Sequence, residues 1–368
     1  MKNTHEKFMS AAIALARKGE GSVSPNPLVG AVIVKKGAII GRGWHKASGL
    51  PHAEIEALKD CERKGKSPHG ATMYVNLEPC ARDHAEKRTP PCCDSIIKSG
   101  IAEVFIGCED PNPKVGKGAE VLGKNGIKVK KGILKDRCRE LNEMFFKNVK
   151  TGLPFVILKL SASADGKIAT RTGNSKWIGN ISQRKMAHML RKKCDAVLVG
   201  SETVRKDNPS LDVRLVKAPR QPVRIVADTG LSVSPEAKMF EEKGAIVATG
   251  TDAKKEKIKK LEKKGVEILR VKKNSRGKIS MRDLMKKLSV NGIKSVLIEG
   301  GGKIAASALK EKIVDKMIFF YSPVIIGGDG TDMVSGMETA LVKNAKKLIF
   351  KKTTMKDGTI VVEAKPEF

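Results

Sequence analysis

The sequence predicts two consecutive α/β domains, the first a three-layer sandwich of helices around a sheet. Three observations lead there. Short runs rich in Val, Ile and Leu alternate with amphipathic helical stretches along the chain, as layered α/β folds require. The 368 residues exceed what one hydrophobic core ordinarily holds. A segment with Gly and Pro, Lys150 to Pro154, interrupts the alternation where a linker belongs, and sets domains 1–150 and 151–368.

In the first domain the chain reads as a hairpin, Val29 to Val34 and Ala38 to Gly43, turning at Lys35-Lys36-Gly37. A helix follows over Ala53 to Lys64, then a strand, Thr72 to Leu77. Pro91 opens a helix, since its fixed φ suits a first turn. A strand at Ala102 to Gly107, a helix at Gly118 to Lys124, a strand at Gly126 to Val129 and a closing helix over Ile133 to Val149 complete the unit. The second domain has strands at Phe155 to Leu160, Ala196 to Gly200, Val223 to Ala227, Ala245 to Thr249, Val266 to Val271, Ser295 to Ile298 and Met317 to Tyr321. Helices at Ser182 to Lys193, Ala253 to Lys264, Met281 to Leu288 and Lys303 to Glu311 separate many of them.

Composition narrows the function. With 40% hydrophobic and 30% charged residues the chain has the material for packed cores and is neither disordered nor collagenous. No apolar run reaches the roughly 20 residues of a membrane helix, and Ala11 to Ala16 is too short for a signal peptide, so a cytoplasmic protein without a membrane partner is expected. Seven cysteines, an odd number, fit reduced thiols or metal ligands better than a disulfide framework. The net charge of +31 attracts phosphorylated molecules and nucleic acid alike. It is spread over both halves, and aromatics are only 4%, poor material for stacking bases, so nucleic acid is not the expected partner.

The first chemical cluster is His52-Ala53-Glu54, then Pro79-Cys80, then Pro90-Pro91-Cys92-Cys93. His52, Cys80 and Cys92 offer one imidazole and two thiolates to Zn²⁺ and leave a fourth position for water, the pattern of a catalytic metal site. Glu54, two residues beyond His52 at a helix start, is placed to move protons without binding the metal. This His-x-Glu followed by two Pro-Cys pairs is the pattern of zinc deaminases with a wider cysteine gap. Cys93 and His84 stand as competing ligands; Cys61, Cys108, Cys138 and Cys194 read as buried small hydrophobes.

The second cluster, Val296-Leu297-Ile298-Glu299-Gly300-Gly301-Gly302, leads from a strand into a helix. Glycines there let backbone amides approach a phosphate, although such a run also serves as a plain tight turn.

Four segments of the first domain, His52-Ala53-Glu54, Leu77-Glu78-Pro79-Cys80, Arg88-Thr89-Pro90-Pro91-Cys92 and Asp110-Pro111-Asn112-Pro113, resemble the deaminase domain of the RibD family of bifunctional riboflavin-biosynthesis enzymes. In the second, Ala164-Asp165-Gly166-Lys167-Ile168, Ser175-Lys176-Trp177-Ile178, Gly200-Ser201-Glu202-Thr203-Val204 and Asp207-Asn208-Pro209-Ser210-Leu211 resemble its reductase domain. This chain departs from the family between Cys80 and Cys92, where the stretch is longer and Lys87 stands in place of Gly.

The resemblance implies a cytidine-deaminase-like three-layer α/β/α domain followed by a dihydrofolate-reductase-like α/β domain, with Zn²⁺ and NADPH as cofactors. It implies zinc-dependent hydrolytic deamination of 2,5-diamino-6-ribosylamino-4(3H)-pyrimidinone 5′-phosphate, with Asn26 holding the pyrimidine, and then reduction of the ribosyl chain to ribityl. It puts Ser161, Trp177, Thr203, Asp207, Thr229 and Gly301, Gly302, Lys303, Ile304, Ala305, Ala306 and Ser307 at the dinucleotide. Ser175, Arg191, Leu211, Arg214 and Glu299 fall at the sugar-phosphate substrate, and Lys159 and Glu299 are the positions for charge placement or proton delivery. A homo-oligomer is expected. Two rivals stay open: a nucleic-acid deaminase of the tRNA type with an RNA-binding appendage, and a zinc-containing binding module without catalysis.

Overall fold

The computed structural model describes residues 2–82, 90–176 and 178–368. The chain divides into two compact units, Met1–Thr151 and Gly152–Phe368.

The first unit opens with α1 (Lys2–Ala16), a helix outside the sequence expectations. Its buried Phe8, Met9, Ala12, Ile13, Leu15 and Ala16 recur at helical spacing and form one apolar face. Then come β1 (Gly30–Lys35), β2 (Ala38–Trp44), α2 (Ala53–Arg63), β3 (Thr72–Leu77), α3 (Cys92–Lys98), β4 (Glu103–Cys108), α4 (Gly118–Lys124) and β5 (Lys128–Lys131). The single closing helix expected over Ile133 to Val149 is two, α5 (Lys135–Leu141) and α6 (Glu143–Thr151). Asn142 breaks it. Its side chain accepts from the Leu28 N–H at 2.7 Å and donates to the Leu28 carbonyl at 2.9 Å, a commitment that competes with helix propagation.

The sheet runs β2-β1-β3-β4-β5, antiparallel through β1 and parallel from β3 to β5. Alternation along β3 sends Met73 and Val75 to one core with Ala57, Cys61, Ile96 and Leu122, and Tyr74 to the other with Phe8, Met9 and Cys138. Helices therefore cover both faces, in the three layers the sequence predicts. Glycine lets α2 approach. A Cβ at Gly43 would lie 2.1 Å from the Ala53 carbonyl oxygen and one at Gly41 2.5 Å from that of Ala57, so any larger residue would push α2 off the sheet.

The second unit comprises β6 (Phe155–Ser163), β7 (Lys167–Ala169), α7 (Ile181–Lys193), β8 (Ala196–Gly200), α8 (Ser201–Asp207), β9 (Val223–Ala227), β10 (Ala245–Gly250), α9 (Lys255–Glu262), β11 (Glu267–Val271), α10 (Met281–Val290), β12 (Ser295–Glu299), α11 (Gly302–Lys310), β13 (Lys316–Ser322), β14 (Thr331–Asp332), β15 (Leu348–Lys356) and β16 (Thr359–Pro366). Nine strands form one sheet in the order β11-β10-β9-β8-β12-β6-β13-β16-β15. It is parallel from β11 to β13 and antiparallel at the β16–β15 edge. The C-terminal hairpin is a second addition to the sequence expectations. It turns on Asp357-Gly358, both at positive φ (50° and 74°), the geometry a two-residue hairpin needs. Charged α8 and the short β7–β14 pair were likewise unforeseen.

Among the described residues no helix is long and apolar enough to cross a membrane. All seven cysteines are buried and none is in a disulfide among the described residues.

Candidate active sites

In the first unit three element ends meet. His52 is the N-cap residue of α2, held extended at φ −73° and ψ 166°, and Glu54 lies in the first turn behind it. Cys80 follows β3, and Cys92 opens α3 directly after its N-cap Pro91. His52 Nδ1 stands 3.2 Å from Cys92 Sγ and 3.6 Å from Cys80 Sγ, and the Cys92 N–H donates to Cys80 Sγ at 3.3 Å. The three donor atoms lie within 4.8 Å of one another. Hydrogen bonding from Cys92, reinforced by His52 against the cost of burial, holds the Cys80 thiol well below its usual range and favours the thiolate, the form that binds metal. One imidazole nitrogen and two sulfurs are a donor set that fits zinc.

Glu54 is buried, 3% exposed, and among the described residues its Oε2 has no hydrogen-bond partner. Burial pushes its carboxyl up, His52 partly opposing. A buried carboxylate oxygen left without a partner beside a metal-type cluster is placed for proton traffic. Cys93, the competing ligand, points elsewhere: its Sγ faces the Pro79 and Gly118 carbonyls at 3.8 and 3.7 Å, and burial pushes its thiol up to about 12. His84 lies outside the described residues.

Asn26 sits at the same end of the unit through a residue the sequence reading missed, His45. Asn26 Nδ2 lies 3.0 Å from His45 Nε2, His45 Nδ1 faces the Pro51 carbonyl at 3.2 Å, and the His45 ring packs edge-on to His52 at 5.4 Å. Only its polar character in a strand-to-helix loop could have pointed to it. Asp110 was also overlooked as an individual group; burial, with Glu78 and Cys80 nearby, raises it to about 7 although it accepts the Asn112 N–H.

In the second unit a cavity of about 630 Å³ opens at the carboxyl ends of β8, β12 and β6, where parallel strands hand over to glycine turns. Gly200 leads into α8, and Gly300 and Gly301 lead into α11. A Cβ on Gly302 would lie 2.4 Å from Ser335 Oγ and 2.5 Å from the Asp332 carbonyl, so this turn is closely packed as well as polar. Of the residues expected at a dinucleotide, Ser161, Thr203, Asp207, Gly301, Gly302, Lys303 and Ile304 line the cavity. Ala305 and Ala306 are buried in the inner face of α11, and Ser307 Oγ turns back to the Lys303 carbonyl. Thr229 is outside the wall, its hydroxyl accepting from the Ile279 N–H at 3.3 Å. Trp177 lies outside the described residues.

Of the residues expected at the substrate or in proton delivery, Lys159, Ser175, Arg191, Leu211 and Glu299 line the cavity. Arg214 does not; its guanidinium engages the Asp212 carboxylate. At the floor Arg191 grips Glu299 with two bonds, Nε at 2.7 Å and Nη2 at 3.0 Å, while Lys159 Nζ stands 3.8 Å from the same carboxylate. Burial alone would raise Glu299, but Arg191 and then Lys159 hold it down to about 2. Burial lowers Lys159, Glu299 opposing.

Residues 2–108 match the cytidine and deoxycytidylate deaminase zinc-binding region, and residues 154–362 match the RibD C-terminal domain. The riboflavin biosynthesis protein RibD of Bacillus amyloliquefaciens is 42% identical over 368 residues, covering 98% of this chain and 96% of the relative. That of Aquifex aeolicus is 44% identical over 323 residues, 88% of each. The crystal structure of a diaminohydroxyphosphoribosylaminopyrimidine deaminase/5-amino-6-(5-phosphoribosylamino)uracil reductase from Thermotoga maritima superposes with a TM-score of 0.88 at 39% identity, over 99% of both chains. The nucleic-acid deaminase with an RNA-binding appendage is not favoured, since the second half matches a reductase domain. Two matched domains and relatives spanning nearly its whole length establish that the chain belongs to the RibD family and is a bifunctional deaminase–reductase of riboflavin biosynthesis.

Proposed function

We propose that the first unit hydrolytically deaminates 2,5-diamino-6-ribosylamino-4(3H)-pyrimidinone 5′-phosphate and that the second reduces the ribosyl chain of the product to ribityl with NADPH. The observation that carries the first step is the buried carboxyl of Glu54 behind the cluster of His52, Cys80 and Cys92, its Oε2 without a partner among the described residues. Zinc held by those three residues would supply Lewis-acid activation of water. Glu54 takes the proton given up by the water and hands it to the departing amino nitrogen, which leaves as ammonia. His45 orients Asn26: a ring whose Nδ1 faces a carbonyl carries its proton there, so Nε2 accepts from the Asn26 amide. The Asn26 Oδ1 then remains to accept from a donor on the pyrimidine.

In the second unit NADPH supplies the hydride when bound. In the open-chain form of the substrate, where the C1′–O4′ bond has opened to leave a C1′=N imine, the hydride adds to C1′ and Lys159, holding a proton at Nζ beside Glu299, delivers it to the imine nitrogen; Arg191 keeps Glu299 ionised. The glycine turn at Gly300 to Gly302 and the α11 amides receive the phosphates of the dinucleotide. The exposed Phe350 and Met355 on the edge strand β15 support a homo-oligomer, and seven buried cysteines outside any disulfide among the described residues support a cytoplasmic site.

Supplying the pyrimidine with and without NADPH tests both halves at once. Ammonia release is expected in either case and loss of NADPH absorbance only after deamination. Loss of NADPH absorbance without ammonia, or neither signal, sinks the reading.

A further inference from the structure

Leu211 lines the cavity of the second unit from chain that belongs to neither sheet nor helix. It opens the segment 211–215 between α8 and β9, and is buried at φ 58°. Left-handed backbone is costly for a leucine and persists only where neighbours hold it. The neighbours here are three side chains. Arg191 Nη1 donates to the Asp212 carbonyl at 2.9 Å. Gln221 takes both groups of Val213, its Oε1 accepting the N–H at 2.7 Å and its Nε2 donating to the carbonyl at 3.0 Å. His188 Nδ1 accepts the Arg214 N–H at 3.1 Å and faces the Leu215 N–H at 3.4 Å. Four successive residues are thus pinned by side chains.

We propose that His188 and Gln221 are positioning residues for the sugar-phosphate end of the reductase substrate: they lock the 212–215 backbone so that the adjoining Leu211 stays in the cavity wall. His188 lies three residues before Arg191 on α7, one turn along the same face, so one helix serves both the Glu299 carboxylate and the strap. The ring is 4% exposed. Two backbone N–H groups directed at Nδ1 require that nitrogen bare, with the proton on Nε2. The surroundings agree: burial, then Arg191 and Arg214, hold the imidazole down to about 4 against the pull of Glu299 and Asp212. Gln221 acts from the other side, as an amide whose donor and acceptor match one residue's backbone as a strand partner would.

The inference rests on the substrate assigned to the second unit, so the test on the full chain joins kinetics to a readout independent of turnover. Amide hydrogen exchange at 212–215 is measured with the reductase KM and kcat for the phosphorylated deaminated pyrimidine, and with the NADPH Kd. His188→Leu and Gln221→Leu are each expected to speed exchange in the strap and raise that KM about tenfold, with kcat and the NADPH Kd unchanged. His188→Asn, which keeps an acceptor near the Nδ1 position, is expected to restore both signals. Faster exchange with an unchanged KM, an equal loss in NADPH binding, or failure of asparagine to restore would overturn the proposal. Should the unaltered enzyme not reduce that substrate while the strap responds as expected, the substrate assignment falls, and this inference with it.

Discussion

The two sites solve their problems with different parts of the chain. The proposed deaminase site draws on a few side chains whose chemistry has no substitute, one imidazole, two cysteine sulfurs and a carboxyl, set at or just beyond the ends of elements. The reductase cavity depends on glycine turns, helix ends and a buried charge cluster, with much of its wall offered by backbone. A metal selects donor atoms, and so selects residue types; a dinucleotide is met largely by shape and N–H groups that most residues can present. The first site should therefore fail abruptly on single changes and the second by degrees.

The largest effect expected is from Cys92→Ala, or from prolonged chelation: zinc content and ammonia release both vanish while NADPH binding survives. Elemental analysis alongside a fluorescence titration of NADPH checks this, and joint loss of both functions would contradict the separation. Next, Glu54→Gln is expected to cut ammonia release by about 10³-fold with zinc retained. Near-normal release from that variant would remove Glu54 from the mechanism.

A graded loss is expected in the second unit. Arg191→Met leaves the Glu299 carboxylate buried with only Lys159 at 3.8 Å, and is expected to destabilise that unit by about 3 kcal/mol in a denaturant titration, without touching zinc content. The same carboxylate sets an acid dependence. Its folded value of about 2 lies below the ordinary 4.5, so it binds protons less readily folded than unfolded; its stabilisation is whole above 4.5 and drains as pH falls toward 2. Unfolding followed against pH over that window is expected to slope more steeply for the unaltered protein than for Glu299→Gln. The smallest change is expected from Cys93→Ala, whose sulfur faces carbonyls outside the cluster: zinc content should be unaltered.

Legibility in the sequence followed the same division. Short runs of apolar, strand-favouring residues placed β3, β8 and β9 at the strands found, and the His-x-Glu and Pro-Cys pairs marked the cluster before any coordinates. His45 carried no such mark, because a single histidine in a loop takes its meaning from the carbonyl of Pro51 and the amide of Asn26. The split of the closing helix was hidden for the same reason: Asn142 is an ordinary helix residue until Leu28 arrives to bond it. The C-terminal hairpin, by contrast, was legible in its Asp357-Gly358 turn and was overlooked among lysines.

What the amino-acid order determined alone is the part governed by local rules: strand and helix periodicity, proline at a helix start, and the donor types a metal demands. Which sulfur turns inward, which carboxyl is buried beside the cluster, and how a strap of irregular chain is pinned from α7 and by Gln221 were decided only in three dimensions. Burial, hydrogen-bond completion and charge pairing act between residues distant in sequence, and their energies exist only once folding has brought those residues together.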